Sequence, residues 1–130
     1  MLGADLIALF TDAALGTFGE QLFHGSKAVP KSGSVLVVVD TLGHSALRIH
    51  NQRQPAIHRP TAQVSARATT RPAAESLARQ AYTACFEVLN QTVNGRFYLA
   101  MTPQQEPFDM GTDTEGRIKY AFNVLGEARG

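Results

Sequence analysis

Residues 61–89 read TAQVSARATTRPAAESLARQAYTACFEVL, and this stretch decides the fold. Its first eight residues alternate between small apolar and polar side chains, which predicts a strand from Thr61 to Ala68. A helix is predicted next, because Pro72 suits a first helical position and small apolar residues then recur at helical spacing as far as Val88. Alanines dominate the inward sides of both elements, so we expect the helix to pack closely on the strand.

The N-terminal half adds a second helix and another strand. The stretch from Leu2 to Ala14 predicts a helix whose apolar face leaves Asp5 and Asp12 pointing away. A short extended piece and a loop follow, and the continuous apolar run from Val35 to Val39 then predicts a buried strand. The segment from Thr41 to Pro55 lacks a clear period, and we interpret it as a loop.

The C-terminal part predicts two more strands. Asn94-Gly95 is a turn signal, after which a strand from Arg96 to Met101 places Phe97, Leu99 and Met101 on one side. A loop then runs to Gly116. The last predicted strand alternates apolar inward residues with polar outward ones: Arg117, Lys119 and Asn123.

The expected fold class is therefore α+β, in a single domain of residues 1–130. It has one mostly antiparallel sheet of four to five strands, with two helices packed on one face. The chain is long enough for one core, and its apolar content of 44% is typical of a folded domain. No signal peptide and no membrane span are expected, because acidic residues interrupt the N-terminal apolar stretch and no apolar run is long enough.

The net charge of +1 hides an uneven distribution. No acidic residue lies between Asp40 and Glu75, and this stretch holds five arginines and three histidines: Arg48, Arg53, Arg59, Arg67, Arg71, His44, His50 and His58. A later window without Lys or Arg holds Glu106, Asp109, Asp113 and Glu115. Opposite patches can join copies of a chain head to tail, and such contacts form rings when the rotation closes. The alternative is two unrelated solvated surfaces.

The residues that could carry chemistry do not form a known motif. His24, His44, His50 and His58 lack metal-ligand spacing and are interpreted as surface histidines. Asp109, Asp113 and Glu115 fit a solvated acidic turn better than a calcium loop, because Tyr120 stands where a bidentate Glu would close the loop. A weak divalent-cation contact at a subunit interface is the alternative. Cys85, the single cysteine, lies on the apolar side of a predicted helix and is interpreted as a small buried hydrophobe.

Two segments resemble the minor-capsid and tail-terminator proteins of long-tailed, siphovirus-like bacteriophages. One is the strand Gln63–Arg67 followed directly by an alanine-rich helix, here Ala73 to Leu89. The other is a glycine-acid loop that leads into the final strand: Pro107-x-x-Met110-Gly111-x-Asp113-x-x-Gly116-Arg117-x-x-Tyr120-x-x-Asn123. The resemblance runs through most of the chain in order, but Thr41–Pro60 matches no pattern of the family.

The resemblance implies a structural protein of the virion that catalyses no reaction and needs no cofactor. Such proteins form a six-membered ring that caps the tail tube, stops its polymerisation and joins the tail to the head. The implied partners are further copies of the chain, the major tail tube protein and the head-completion proteins of the neck. DNA passes through the ring without specific binding. The implied location is the head–tail junction, after assembly in the host cytoplasm.

Two other functions stay open at this point. One is a different neck component, such as a head-completion adaptor, and the other is an unrelated cytoplasmic α+β enzyme with a site built from distant residues. For the ring, we expect the subunit or tube contacts to come from the charged residues of the two windows and of the last strand: Arg48, Arg53, Arg59, Arg67, Glu106, Asp109, Asp113, Glu115, Arg117 and Lys119.

Overall fold

The computed structural model describes residues 2–16, 18–25, 33–47 and 57–129. These ranges contain two helices and nine strands, in this order: α1 (Leu2–Asp12), β1 (Leu22–His24), β2 (Val35–Asp40), β3 (His44–Leu47), β4 (Ile57–Arg59), β5 (Thr61–Ala68), α2 (Arg71–Phe86), β6 (Leu89–Val93), β7 (Arg96–Pro103), β8 (Phe108–Thr112) and β9 (Ile118–Arg129). The predicted α+β class with one mostly antiparallel sheet is confirmed. Neither helix is long and apolar enough to span a bilayer.

Two long hairpins placed side by side make up most of the sheet. The first hairpin goes out along β2 and β3 and returns along β4 and β5. The second goes out along β7 and β8 and returns along β9. They join through β5 and β9, which pair antiparallel from Thr61 opposite Leu125 to Ala68 opposite Ile118. β9 therefore lies in the middle of the sheet, with β4 and β5 on one side and β7 and β8 on the other.

The predicted number of four to five strands is wrong because the hairpin arms are interrupted and the strands between the interruptions are short. β3 falls in the segment Thr41–Pro55, which was interpreted as a loop, and β4 falls just after it, where no element was predicted. β8 falls in the predicted loop before Gly116. Pro60 has no N–H to donate, yet its carbonyl accepts a hydrogen bond from the Gly126 N at 2.9 Å, so β9 follows the chain across the break between β4 and β5.

Both helices pack on the same face of the sheet, as predicted. The core between them contains Leu2, Leu6 and Phe10 from α1 and Ala74, Ala78, Ala81 and Cys85 from α2. On the sheet side it contains alternate residues of the strands, among them Leu36, Val64 and Phe122. The inward set of β5 that the sequence predicted (Ala62, Val64, Ala66 and Ala68) is fully buried. Because these side chains and those of α2 are small, the helix lies close to the strand.

The turn between β6 and β7 also follows the prediction. Asn94 and Gly95 both have positive φ, at 52° and 78°, as this kind of two-residue hairpin turn requires. The expected inward side of β7 is correct for Met101 but wrong for Phe97 and Leu99. Tyr98 and Met101 are buried, whereas Phe97 and Leu99 are half-buried. A register shift between Tyr98 and Ala100 changes which side chains face the helices, and simple alternation cannot show such a bulge.

Candidate functional site

The face of the sheet opposite the helices is one candidate surface. It carries the alternate residues of β5 and β9, whose register places Gln63 opposite Asn123 and Arg67 opposite Lys119. It also carries large apolar side chains, because Phe108 of β8 pairs with Ala121. Phe108 and Met110 are each 40% exposed. Much of this face is buried, including a second apolar cluster of Phe23, Val35 and Val37, so its exposed apolar side chains lie at the β8 edge. Exposed apolar side chains at such an edge are typical of a protein interaction surface.

Asp113 organises the turn between β8 and β9. One carboxylate oxygen, Oδ1, accepts hydrogen bonds from the Glu115 N at 2.9 Å and the Arg117 N at 2.8 Å. The other, Oδ2, accepts one from Arg117 Nε at 2.9 Å and lies 3.9 Å from Arg67 Nη1. Gly116 occupies a position with φ of 81°, which favours glycine. Residues 113–117 of the glycine-acid loop, which is part of the family resemblance, therefore form a tightly hydrogen-bonded turn.

Arg117 was predicted to lie on the outward side of the last strand, and its guanidinium binds the carboxylate of Asp113 beside Arg67, on that side. It is buried and not exposed, however: it is only 4% exposed, and its Nη1 donates to the Gly33 carbonyl at 3.3 Å. Its contacts, like those of Asp113, are made within the chain.

Opposing influences act on the pKa of Asp113. Burial of the carboxyl group works to raise the pKa, but hydrogen bonds from Arg117 and Glu115 and the charge of Arg117 outweigh it, so the pKa lies below 3.8. A carboxylate with a lowered pKa stabilises the fold fully above its unfolded-state pKa, and this contribution is lost as the pH falls through the folded-state value.

The lowered pKa predicts a difference in acid stability between the wild type and Asp113→Asn. Below a pH of about 4 the free energy of unfolding of the wild type should fall as Asp113 is protonated, whereas the variant has no carboxylate at this position. The difference in the free energy of unfolding between the two proteins should therefore narrow. Urea unfolding at a series of pH values from about 5 to about 2 measures this gap. A gap that stays constant over this range would contradict the assignment.

Other predicted acids also find arginines of the same chain. Asp109 binds Arg71 and accepts a hydrogen bond from the Gly111 N at 2.7 Å, and Glu106 binds Arg79 at 2.7 Å. Glu115 is exposed at the turn. Arginines on α2 therefore neutralise part of the acidic window, and Arg67 of the basic stretch lies beside Asp113. Acidic and basic residues that were expected to contact other molecules therefore bind each other within one chain.

The remaining predicted residues lie apart from this turn. Lys119 is half-buried on the face of the sheet opposite the helices, next to Arg67 across the strands. Arg59 lies in β4, which pairs with the last residues of β9, at the far end of that strand from the turn. Arg48 and Arg53 lie outside the described residues. The eight candidate residues that the structure describes thus do not form one patch.

Asp5 of α1 carries a buried carboxylate, although it was predicted to point away from the core. Asp5 is only 3% exposed. It accepts hydrogen bonds from Asn94 Nδ2 at 3.0 Å, from Arg96 Nε at 3.1 Å and from the Tyr98 hydroxyl. This network ties the first helix to the β6–β7 hairpin. Burial, followed by the bond to Asp5, raises the pKa of Tyr98, so its hydroxyl keeps its proton and remains a donor.

The predicted histidines and cysteine show no sign of metal or nucleophile chemistry in the described part of the chain. His24 bonds to Asp40 at 2.7 Å, and His44 is exposed. The described residues contain no group of three or more His, Cys, Asp or Glu side chains that could hold a metal ion. His50 lies outside them. Cys85 is fully buried, as predicted, and burial raises the pKa of its thiol, which disfavours the thiolate.

Two concave regions lie on opposite sides of the sheet. A groove of about 580 Å³ separates the end of α1 from α2 and is lined by residues that include Leu15, Thr83 and Ala84. A hollow of about 420 Å³ lies between the end of β2 and the start of β3, beside Leu42, Thr61 and Asn123.

The chain was compared with models of known protein families and with curated proteins, and it matches none of them.

Proposed function

We propose that the chain is a tail terminator of a long-tailed bacteriophage. Copies of it form a ring, expected to have six members, that caps the finished tail tube, stops addition of tube protein and presents a surface to the neck proteins of the head. DNA passes through the ring without specific binding. The ring acts through its shape and its contact energies and catalyses no reaction.

The observation that carries the proposal is the construction of the β8–β9 hairpin. The segment from Pro107 to Asn123, one of the two on which the family resemblance rests, folds as a hairpin at the edge of the sheet. Its turn is held by Asp113 and Arg117, and its outer strand exposes Phe108 and Met110. A well-ordered hairpin with exposed apolar side chains suits a contact surface, and repeated heterologous contacts close into a ring.

The contacts of the ring differ from those expected from charge alone. Asp113 and Arg117 support the contact surface from within the chain. Exposed side chains, with Glu115 and Phe108 among them, are the ones placed to meet a neighbour or the tube. This division of roles supports an assembly held mainly by shape and apolar contact, with charge setting the register.

The proposal predicts where the protein sits in a phage particle and what its loss does. Gold-labelled antibody should mark the head-proximal end of the tail, in intact particles and in tails that have lost their heads. An amber mutation in its gene should give tails of irregular length that do not join to heads, since nothing stops tube growth. Both outcomes are read by electron microscopy of negatively stained particles.

The matched control is the same antibody on particles grown from the amber mutant, which should carry no label. Label that stays with heads, together with tails of normal length and heads that leak DNA, would show a head-completion adaptor instead. Particles of normal shape without the protein would contradict any structural role and would favour an enzyme.

A further inference from the structure

Three cations lie together at one end of the sheet and share a single carboxylate. Arg67, Arg117 and Lys119 lie on the face opposite the helices, next to the turn between β8 and β9. Asp113 Oδ2 accepts a hydrogen bond from Arg117 Nε at 2.9 Å, but its distance of 3.9 Å from Arg67 Nη1 is too long for one. In this group of four residues, which we call the basic cluster, two positive charges therefore remain unmatched.

The rest of the chain supplies no further acid to the basic cluster. All eleven Asp and Glu residues lie within the ranges that the structure describes. In those ranges the Lys119 ammonium makes no ion pair or hydrogen bond, and the ion pair of Arg67 with Asp113 is the one that Arg67 makes. Residues 26–32, just before Gly33, include two lysines and no acid. An anion that matches the cluster must come from another molecule.

The two unmatched cations lie side by side. Arg67 and Lys119 are directly opposite each other in the β5–β9 ladder, where Cβ atoms are about 5 Å apart. Like charges in such a pair destabilise a sheet. The Arg67 side chain is only 18% exposed and Lys119 is half-buried, so water screens the repulsion between them incompletely. A bound anion would relieve this repulsion.

Arg67 also has N–H donors without acceptors. Its Nε is shielded from solvent and makes no hydrogen bond in the chain, whereas its terminal nitrogens are open to solvent. Buried donors are nearly always paired in folded proteins. Arg117, by contrast, donates from Nε to Asp113 and from Nη1 to the Gly33 carbonyl. Arg67 is therefore the arginine of the basic cluster whose guanidinium can bind an oxyanion.

The two unmatched charges favour a doubly charged anion. A phosphate group carries close to two negative charges at neutral pH and has several acceptor oxygens. Arginine binds phosphate through a planar fork of N–H donors, and lysine binds it as a compact point charge. A carboxylate carries one charge and would match only half of the excess.

We infer that Arg67 and Lys119 form a binding site for a dianionic phosphate group, either the free ion or a small phosphomonoester. Both side chains contact the phosphate, and Asp113 and Arg117 hold the turn beside it. A single chain makes the site, so it does not depend on the ring of the proposed function. When phosphate binds, the repulsion between β5 and β9 at this end of the sheet is removed.

Thermal unfolding in increasing concentrations of inorganic phosphate tests the site. Sodium chloride at the same ionic strength corrects for screening, and a pH of about 8 keeps the phosphate dianionic. The unfolding midpoint of the wild type should rise more in phosphate than in chloride, because a ligand of the folded state stabilises that state. A parallel titration with glycerol phosphate distinguishes the two sources. A larger shift identifies a monoester as the ligand, and an equal or smaller one identifies the free ion.

Two matched variants measure the contribution of the cluster. Lys119→Met should raise the phosphate concentration for half-maximal stabilisation by about ten- to a hundredfold, as expected when one charged hydrogen bond is lost. Its unfolding midpoint in chloride should not fall, since the repulsion from Arg67 is also removed. Lys119→Arg should keep the phosphate response. Arg129→Met removes a cation at the other end of β9 and should respond like the wild type, which corrects for general stabilisation by phosphate.

Three results would overturn the site. One is an equal phosphate response of Lys119→Met and Arg129→Met. Another is an equally strong response of the wild type to acetate, because one negative charge would then suffice. The third is a Lys119-dependent response to duplex DNA without a response to phosphate, which would assign the two cations to the DNA backbone. None of these results bears on the ring, which is tested by particle location and tail length.

Discussion

Replacing Asp5 with alanine should lower the free energy of unfolding by about 3 kcal/mol, because three hydrogen bonds to a buried carboxylate are lost together. The carboxylate receives hydrogen bonds from Asn94, Arg96 and Tyr98 while it is almost wholly shielded from water. Without it, the Tyr98 hydroxyl is left buried and unpaired, which adds a desolvation cost. Urea unfolding followed by circular dichroism measures the change.

Asp12→Ala is the matched control for this prediction. Asp12 lies on the same helix and is exposed, so its removal should change the free energy of unfolding by less than about 0.5 kcal/mol. Equal effects of the two substitutions would mean that the network under α1 contributes nothing, and would contradict the role assigned to Asp5.

The second large effect is expected at Arg117. The change Arg117→Met keeps much of the side chain's length but leaves the carboxylate of Asp113 without its buried cation. We expect a loss of about 3 kcal/mol in the free energy of unfolding, because an unpaired buried charge is costly. The nearby Arg67 limits the loss, since its Nη1 lies 3.9 Å from the same carboxylate.

Arg79→Met is the control for Arg117, since Arg79 also binds an acidic residue but is about half exposed. Its loss should cost less than about 1 kcal/mol. The double variant Asp113→Asn with Arg117→Met should be less unstable than the sum of the single changes, because the two groups act on each other. If the two changes in the free energy of unfolding are strictly additive, Asp113 and Arg117 do not stabilise the fold as a pair.

Parts of the fold could be predicted because local patterns and tertiary demands agree there. The strand from Thr61 to Ala68 has the predicted bounds, since its alternation is regular and both faces of the sheet enforce it. The two short strands before Pro60, β3 and β4, have four and three residues, which is too few for any period to appear. β4 pairs with β9, about 70 residues further along the chain, and β3 pairs with β4.

Asp5 shows a signal that the sequence contained and its interpretation missed. It lies at helical spacing with Leu2, Leu6 and Leu9, so the geometry of a helix places it among the apolar residues, not opposite them. An acidic residue in that position needs buried donors. The donors are about 90 residues away, in and after the Asn94-Gly95 turn, and no local pattern connects them.

The candidate interface residues were harder to predict for a related reason. Along the sequence, the acidic residues and the arginines lie in separate windows. In the folded chain, however, Arg71 and Arg79 of α2 bind Asp109 of β8 and Glu106 of the loop before it. These partners are 38 and 27 residues apart. Which charges remain for another molecule depends on such pairings, and a sequence window cannot show them.

The central position of β9 has a consequence for how a newly made chain acquires its structure. Residues 118–129 are the last of the described strands to leave the ribosome, yet they join the two halves of the sheet. Until they emerge, β5 and β7 both present open edges with unpaired backbone groups, a state that is prone to aggregation. A premature stop codon before this segment would therefore remove the centre of the sheet and not its border, and the shortened product would be a substrate for chaperones and proteases.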